Sequence, residues 1–241
     1  GGDRWEHHGD RKFSAASTAK IPVMIETFRQ IDAGKRSLDD RYTFTESDQA
    51  RGSGILSHLR PGLELTFYDL LYLMISISDN AATNILIREA GLDNIKETML
   101  SLGMKISNLD RLMSFPTEEP KPPENMSTPN EYAGSILAVL DDEAASEESC
   151  RAMEELLTKQ QNHNRLARYL PRSESVRFGS KTGTIPGVAN DVGFIQGANG
   201  RIVIAVYTEN YADTHVAEEV IGRIARAALI DTGVAGPTFT S

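Results

Sequence analysis

The 241 residues, 40% of them hydrophobic, are enough to bury a core in one large domain or two small ones. With 34 acidic against 25 basic residues the net charge is -9, which speaks against nucleic acid or an anionic membrane surface as partner, because both select a basic face. Size and apolar content lead to the expectation of a soluble globular protein and the acidic balance to that of a small ligand; no apolar run approaches the ~18 residues that a membrane-spanning helix needs, and the lack of signal-peptide character in Gly1-Gly2-Asp3-Arg4 says little.

In chain order, the first predicted element is a helix over 19–31, apolar at Ile21, Val23, Met24, Ile25, Phe28 and Ile31. Pro22 is tolerated in its first turn, and Gly34 ends it. Thr66-Phe67-Tyr68-Asp69 carries a capping-box pattern and opens a helix over 66–77, in which Leu70, Leu71, Leu73, Met74 and Ile77 are dense enough to be buried. Ser78-Asp79-Asn80 breaks it. A helix over 81–90 follows, with Ile85, Leu86 and Ala90 on one face and Gly91 as a stop. Between Asp110 and Asn125, the prolines at 116, 120, 122 and 123 exclude helix and leave a long loop, of a kind usually functional or disordered.

Thr128-Pro129-Asn130-Glu131 combines an N-cap, a proline at the first helical position and a glutamate at the third, and predicts a helix over 129–141. Helices over 148–160 and 214–230 complete the set. Cys150, the single cysteine, lies in the first of these; it excludes an internal disulfide and reads as a buried side chain. Strands over 176–183, 190–197 and 201–208, with Gly200 in the last turn, read as an antiparallel meander. There is no internal repeat and no linker that separates two domains. The expected organisation is one domain over 1–241, with a sheet lobe at about 1–20 and 170–241 and an inserted helical lobe at about 21–169.

The five histidines (His7, His8, His58, His163, His215) show no metal-ligand spacing, and on a strand the adjacent His7-His8 would point to opposite faces. No metal or other cofactor is expected. Methionines 74, 99, 104 and 113 read as core filler. The chemistry gathers elsewhere. A serine hydroxyl is a poor nucleophile near neutral pH, and Lys20, three residues after Ser17, falls on the same side of a helical turn, within reach of its proton. Taken singly, Ser17 with Lys20 reads as a cap and a surface lysine, Ser78-Asp79-Asn80 as a capping turn and Lys181-Thr182-Gly183 as a strand end.

Together and in that order, Ser17-Thr18-Ala19-Lys20, Ser78-Asp79-Asn80 and Lys181-Thr182-Gly183 make the chain resemble the penicillin-recognising serine hydrolases. The class A β-lactamases are the nearest match, because penicillin-binding transpeptidases and carboxypeptidases more often carry another residue at the position of Asp79. The resemblance runs from about Trp5 to Leu229. It takes in Gly52-Ser53-Gly54 with Ile55-Leu56, and Asn190-Asp191, a pair read as structural. It implies an α/β fold of the α+β type, an antiparallel sheet packed by helices with a mostly helical lobe inserted, and the site between the lobes.

The resemblance implies a role for each motif residue, and each role is chemically sensible. Opening an amide needs a nucleophile, a base, an oxyanion site and an acid for the leaving nitrogen. Ser17 would attack, and Lys20, its pKa lowered by Lys181 and burial, would take the proton. Ser78 would relay a proton to the nitrogen. The oxyanion would sit between the backbone N–H groups of Ser17 and Thr184, Lys181 and Thr182 would hold a substrate carboxylate, and Asn80 would bond the substrate's amide side chain. The implied activity is β-lactam hydrolysis outside the cytoplasm, whether secreted, periplasmic or cell-surface. A D-Ala-D-Ala peptidase or other amide or ester hydrolase, and a non-catalytic penicillin-binding sensor, are the alternatives.

Two departures stand out. Class A enzymes resemble one another in a loop reading Arg-x-Glu-x-x-Leu-Asn, whose glutamate activates the water that frees the acyl-serine. Here the loop reads Arg111-Leu112-Met113-Ser114-Phe115-Pro116-Thr117, with Met113 at the glutamate position and Thr117 at that of the asparagine. A thioether cannot take a proton from water, so slow deacylation is expected unless Glu118, Glu119 or Glu124 folds back. Moreover, the 16 residues before Ser17 leave room for an edge strand at about Arg4 to His8, but not for the helix and central strand that precede it in the family. An upstream segment or a second chain is therefore expected to complete the sheet.

Overall fold

The predicted meander forms, and slightly longer than its pattern. In the computed structural model, which describes residues 4–113, 123–171 and 175–236, β5 (Arg177–Ile185), β6 (Val188–Gly197) and β7 (Gly200–Glu209) pair antiparallel in the order β5-β6-β7. Thr182 lies opposite Asp191, and Gly183 opposite Asn190. Strand β6 is buried on both faces. Val192 and Phe194 join the large core of the helical lobe, while Ala189 and Ile195 join smaller clusters with Ile221 and Leu229 of α7 (Thr214–Thr232). Side-chain alternation therefore puts Asn190 and Asp191 on opposite faces of the sheet, a division that matters for the site.

The helical lobe is built around α1 (Lys20–Asp32), whose Ile21, Val23, Met24, Ile25 and Phe28 are all buried. Burial on nearly every side is why its apolar positions outnumber a single stripe. Helix α2 (Phe67–Ser76) starts on the predicted capping box: Thr66 Oγ1 accepts from Asp69 N–H, and Asp69 Oδ2 from Thr66 N–H. Helix α3 (Asn80–Ala90) is capped by Asp79, α5 (Pro129–Leu140) by Thr128 with Pro129 in its first turn, and α6 (Glu147–Thr158) by Ser146. These caps satisfy N–H groups that a helix start leaves without partners.

Three differences from the sequence expectation have local causes. Gly91, at φ 84°, ends α3 but immediately begins α4 (Leu92–Ser101), which the stop signal hid. A short antiparallel pair, β2 (Arg41–Thr43) with β3 (Glu64–Thr66), is too brief to leave a two-residue period. The edge strand expected at Arg4 to His8 does not form: His8 turns at φ 55°, and the His7 and His8 rings pack 4.0 Å apart instead of facing opposite ways. In its place β1 (Phe13–Ser14) pairs with β4 (Met126–Ser127), tying the nucleophile segment to the end of the proline-rich stretch. Most of that stretch, including Thr117, Glu118 and Glu119, lies outside the described residues.

Candidate active site

Ser17 stands in a 3₁₀ turn, Ala16–Ala19, that leads directly into α1. In a 3₁₀ turn residues three apart eclipse, which suits the Ser17–Lys20 spacing. The turn is fastened on several sides. Thr18 donates to Ala15 O from both its N–H (3.0 Å) and its Oγ1 (2.7 Å), and Thr18 Oγ1 accepts from the Tyr207 hydroxyl at 3.1 Å. From the sheet, Asn190 Nδ2 donates to Ser14 O at 2.9 Å. Strand β5 packs against the turn so closely that a Cβ on Gly183 would fall 2.9 Å from Ala15 O and 3.2 Å from Ser17 N. Ala16 (φ 45°) and Ser78 (φ 62°) both occupy left-handed backbone, a strain of ~1–3 kcal/mol each that the surrounding packing sustains.

Lys20 is fully buried, and its Nζ meets three acceptors: Ser78 O at 2.6 Å, Ser78 Oγ at 2.9 Å and Asn80 Oδ1 at 2.8 Å. Burial, with the charge of Lys181 added, holds its pKa well below the usual lysine range, against the opposing pull of Asp79. Ser17 Oγ has no hydrogen-bond partner among the described residues and lines the cleft. Asn80 does not line it; besides Lys20, its side chain holds Arg51 O at 2.9 Å. Asp79 caps α3 through Ala82 N–H and also accepts from Ile55 N–H (2.6 Å) and Leu56 N–H (2.9 Å). With Asn80 N–H on Ser53 O, these bonds set the segment around Ser53 as one wall of the cleft.

The opposite wall is the edge of β5. Thr182 and Thr184 line the cleft, whereas Lys181 is buried behind it, its Nζ donating to Thr182 O at 2.9 Å. Burial lowers Lys181 to about 7, Asp191 acting against the shift and Arg165 adding to it. The cavity, about 270 Å³, is also lined by Ser53, Gln161 and Asn162. Its surface is thus mostly hydroxyl and amide, with Ile77 as an apolar patch and two lysines one layer back.

Two features of the site had no signal in the motifs. Gln161 and Asn162 belong to a run of amides after α6 that could be read only as a polar connection. Arg165, almost fully buried, donates to Gly183 O (2.8 Å), Asn190 O (2.7 Å) and Thr184 Oγ1 (2.6 Å), bracing the strand that carries Lys181. Its spacing to the lysine motif carries no periodicity.

Met113 is buried and anchored. Its N–H donates to Asn84 Oδ1 at 2.7 Å, and Asn84 Nδ2 returns a bond to Met113 O at 2.9 Å, one helical turn beyond Asn80. Glu124, the one loop glutamate among the described residues, pairs with Arg111 at the neck of the loop, 2.7 Å apart.

Comparison with known proteins bears on the family and the fold. A model of the Beta-lactamase enzyme family matches residues 1–231. The crystal structure of a beta-lactamase from Sphaerobacter thermophilus DSM 20745 is 53% identical with a TM-score of 0.93, over 97% of this chain and 88% of that one. A mutant of PBP-A, solved as an acyl-enzyme complex with penicillin G, is 26% identical with a TM-score of 0.78, over 91% of this chain and 81% of that one. A beta-lactamase of Rhodobacter capsulatus is 33% identical over 109 residues, 45% of this chain, and the match spans 37% of that protein's length.

Proposed function

The chain belongs to the β-lactamase enzyme family, and from that premise we propose that it opens the β-lactam amide by acyl transfer to Ser17. The observation that carries this reading is the Lys20–Ser78–Asn80 cluster, buried beside a serine that opens onto the cleft. A lysine whose pKa is held down can serve as a neutral amine, take the Ser17 proton as Oγ bonds to the carbonyl carbon, and pass a proton through Ser78 to the departing nitrogen. The N–H groups of Ser17 and Thr184 face the developing oxyanion. Thr182 contacts the substrate carboxylate, with the Lys181 charge behind it. Asn80 serves to aim Lys20 from one layer behind the cleft.

Release of the acyl group is the slow step in this reading. Met113 offers no base for water, and Glu124 is engaged with Arg111. The same feature keeps two further readings in view, a D-Ala-D-Ala peptidase that passes its acyl group to another acceptor and a sensor that signals while acylated. Turnover of a chromogenic cephalosporin separates them: a burst followed by repeated cycles at the slow rate of acyl release marks a lactamase, a burst with no further turnover a peptidase or sensor. Both lobes supply cleft residues, which supports one working unit over 1–241. We place that unit outside the cytoplasm, where its substrates occur. The outer edge of β7 has no partner strand among the described residues, which supports a strand supplied by an upstream segment or a second chain.

A further inference from the structure

We propose that Asp191 is a positioning residue for the oxyanion strand: by accepting the Leu166 N–H it fixes the turn that carries Arg165, whose guanidinium clamps the Gly183–Thr184 peptide with its N–H toward the cleft. This rests on the acyl-transfer reading above, in which that N–H is an oxyanion donor.

A trans peptide is planar, so the carbonyl of Gly183 and the N–H of Thr184 point in opposite directions. Arg165 Nη1 holds the Gly183 carbonyl on the side of β6, bridging it to Asn190 O, while Nη2 holds the Thr184 hydroxyl. The Thr184 N–H is thereby turned outward, where β5 is the outermost strand and the cleft begins. Arg165 itself sits in an irregular stretch between α6 and β5, with no ladder to hold it. The bond from Leu166 N–H to Asp191 Oδ2, at 3.1 Å, holds the stretch to β6, beside the burial of Leu166, the Arg165–Glu218 ion pair and the close approach of α7, where a Cβ on Gly222 would come 3.1 Å from Arg165 O.

Asp191 is fully buried, its Oδ2 accepting the Leu166 N–H and the Ser180 hydroxyl lying close to the carboxyl. The charged and titratable groups around it are Arg165 in the stretch, Lys181 on β5 and Tyr207 on β7; Glu218 of α7 reaches Arg165 rather than Asp191. Burial pushes the Asp191 carboxyl up to about 6, against the Ser180 hydroxyl, Arg165, the Leu166 N–H and Lys181. The role asked of Asp191 is to accept one N–H, and an asparagine provides the same acceptor.

The test is single-turnover acylation by penicillin, followed by intact-protein mass spectrometry over a range of concentrations, in wild type, Asp191→Ala and Asp191→Asn. The expected result is a limiting acylation rate about tenfold or more lower in Asp191→Ala, with the dissociation constant of the unreacted complex within about threefold, and near wild-type values in Asp191→Asn. A folded Asp191→Ala that acylates at the wild-type limiting rate overturns the proposal, as does an Asp191→Asn that loses tenfold. If Asp191→Ala does not fold, Asp191→Asn alone decides on that same criterion. Failure of the wild type to acylate sinks the acyl-transfer reading instead, and is distinguishable because it precedes any comparison of variants.

Discussion

At the scale of single residues, the site separates groups that line the cleft from charges held just behind them. Ser17, Ser78, Thr182 and Thr184 line the cleft, whereas Lys20 and Lys181 are buried. Replacing Ser17 with alanine removes the acyl acceptor, and no mass adduct with penicillin should form. Replacing Lys20 with methionine removes the proposed base and should slow acylation by ~10²–10⁴-fold, read as the rate of adduct formation. Lys181 makes a pH prediction. Its charge is present below about 7 and is lost as pH rises through that value, so attraction for a substrate carboxylate weakens and KM should climb on the alkaline side. In Lys181→Arg the guanidinium stays charged, and this alkaline limb should disappear; an unchanged limb would assign it to another group.

At the scale of elements, the nucleophile turn depends on β5 approaching without a side chain at Gly183. Gly183→Ala should displace the Ser17 turn, destabilise the protein by ~1–3 kcal/mol and lower the acylation rate, measured by thermal melting and adduct formation. An unaffected rate would mean that the turn does not rest on the strand. Much of this arrangement was legible in the sequence. The caps at Thr66, Thr128 and Asp79 set helix starts through local bonds, and the meander shows in three strand-length runs of nine or ten residues, with Gly200 in the last turn. The three motifs marked where those elements converge. Helix α4 was hidden because one glycine both stops α3 and opens α4, and β1 with β4 is two residues long, beneath any period. Arg165 and the Asn84–Met113 clamp were invisible for another reason: both are long-range bonds from side chains to backbone, which leave no spacing to read.

At the scale of the whole molecule, folding buries Lys20 and Lys181 between the lobes, and this ties stability to pH. Both lysines have folded-state pKa values lowered from 10.5, so between about 7 and the ordinary lysine range the unfolded chain binds more protons than the native one. Stability should therefore rise with pH across that window, up to where buried Tyr132 and Tyr207, whose pKa values are raised, reverse the trend. A melting temperature that rises from pH 7 to pH 9, with a flatter profile in Lys181→Met, is the expected result; a fall over that range would contradict it. The central claim is that the two lobes assemble a complete acylation site around Ser17 while Met113 leaves the second step without its base. Acyl-enzyme lifetime by intact-protein mass spectrometry after a penicillin pulse, in wild type and in Met113→Glu, tests it most directly. The account predicts a penicillin adduct that persists for minutes or longer in wild type and is shortened in Met113→Glu, whereas release from wild type within seconds would contradict it.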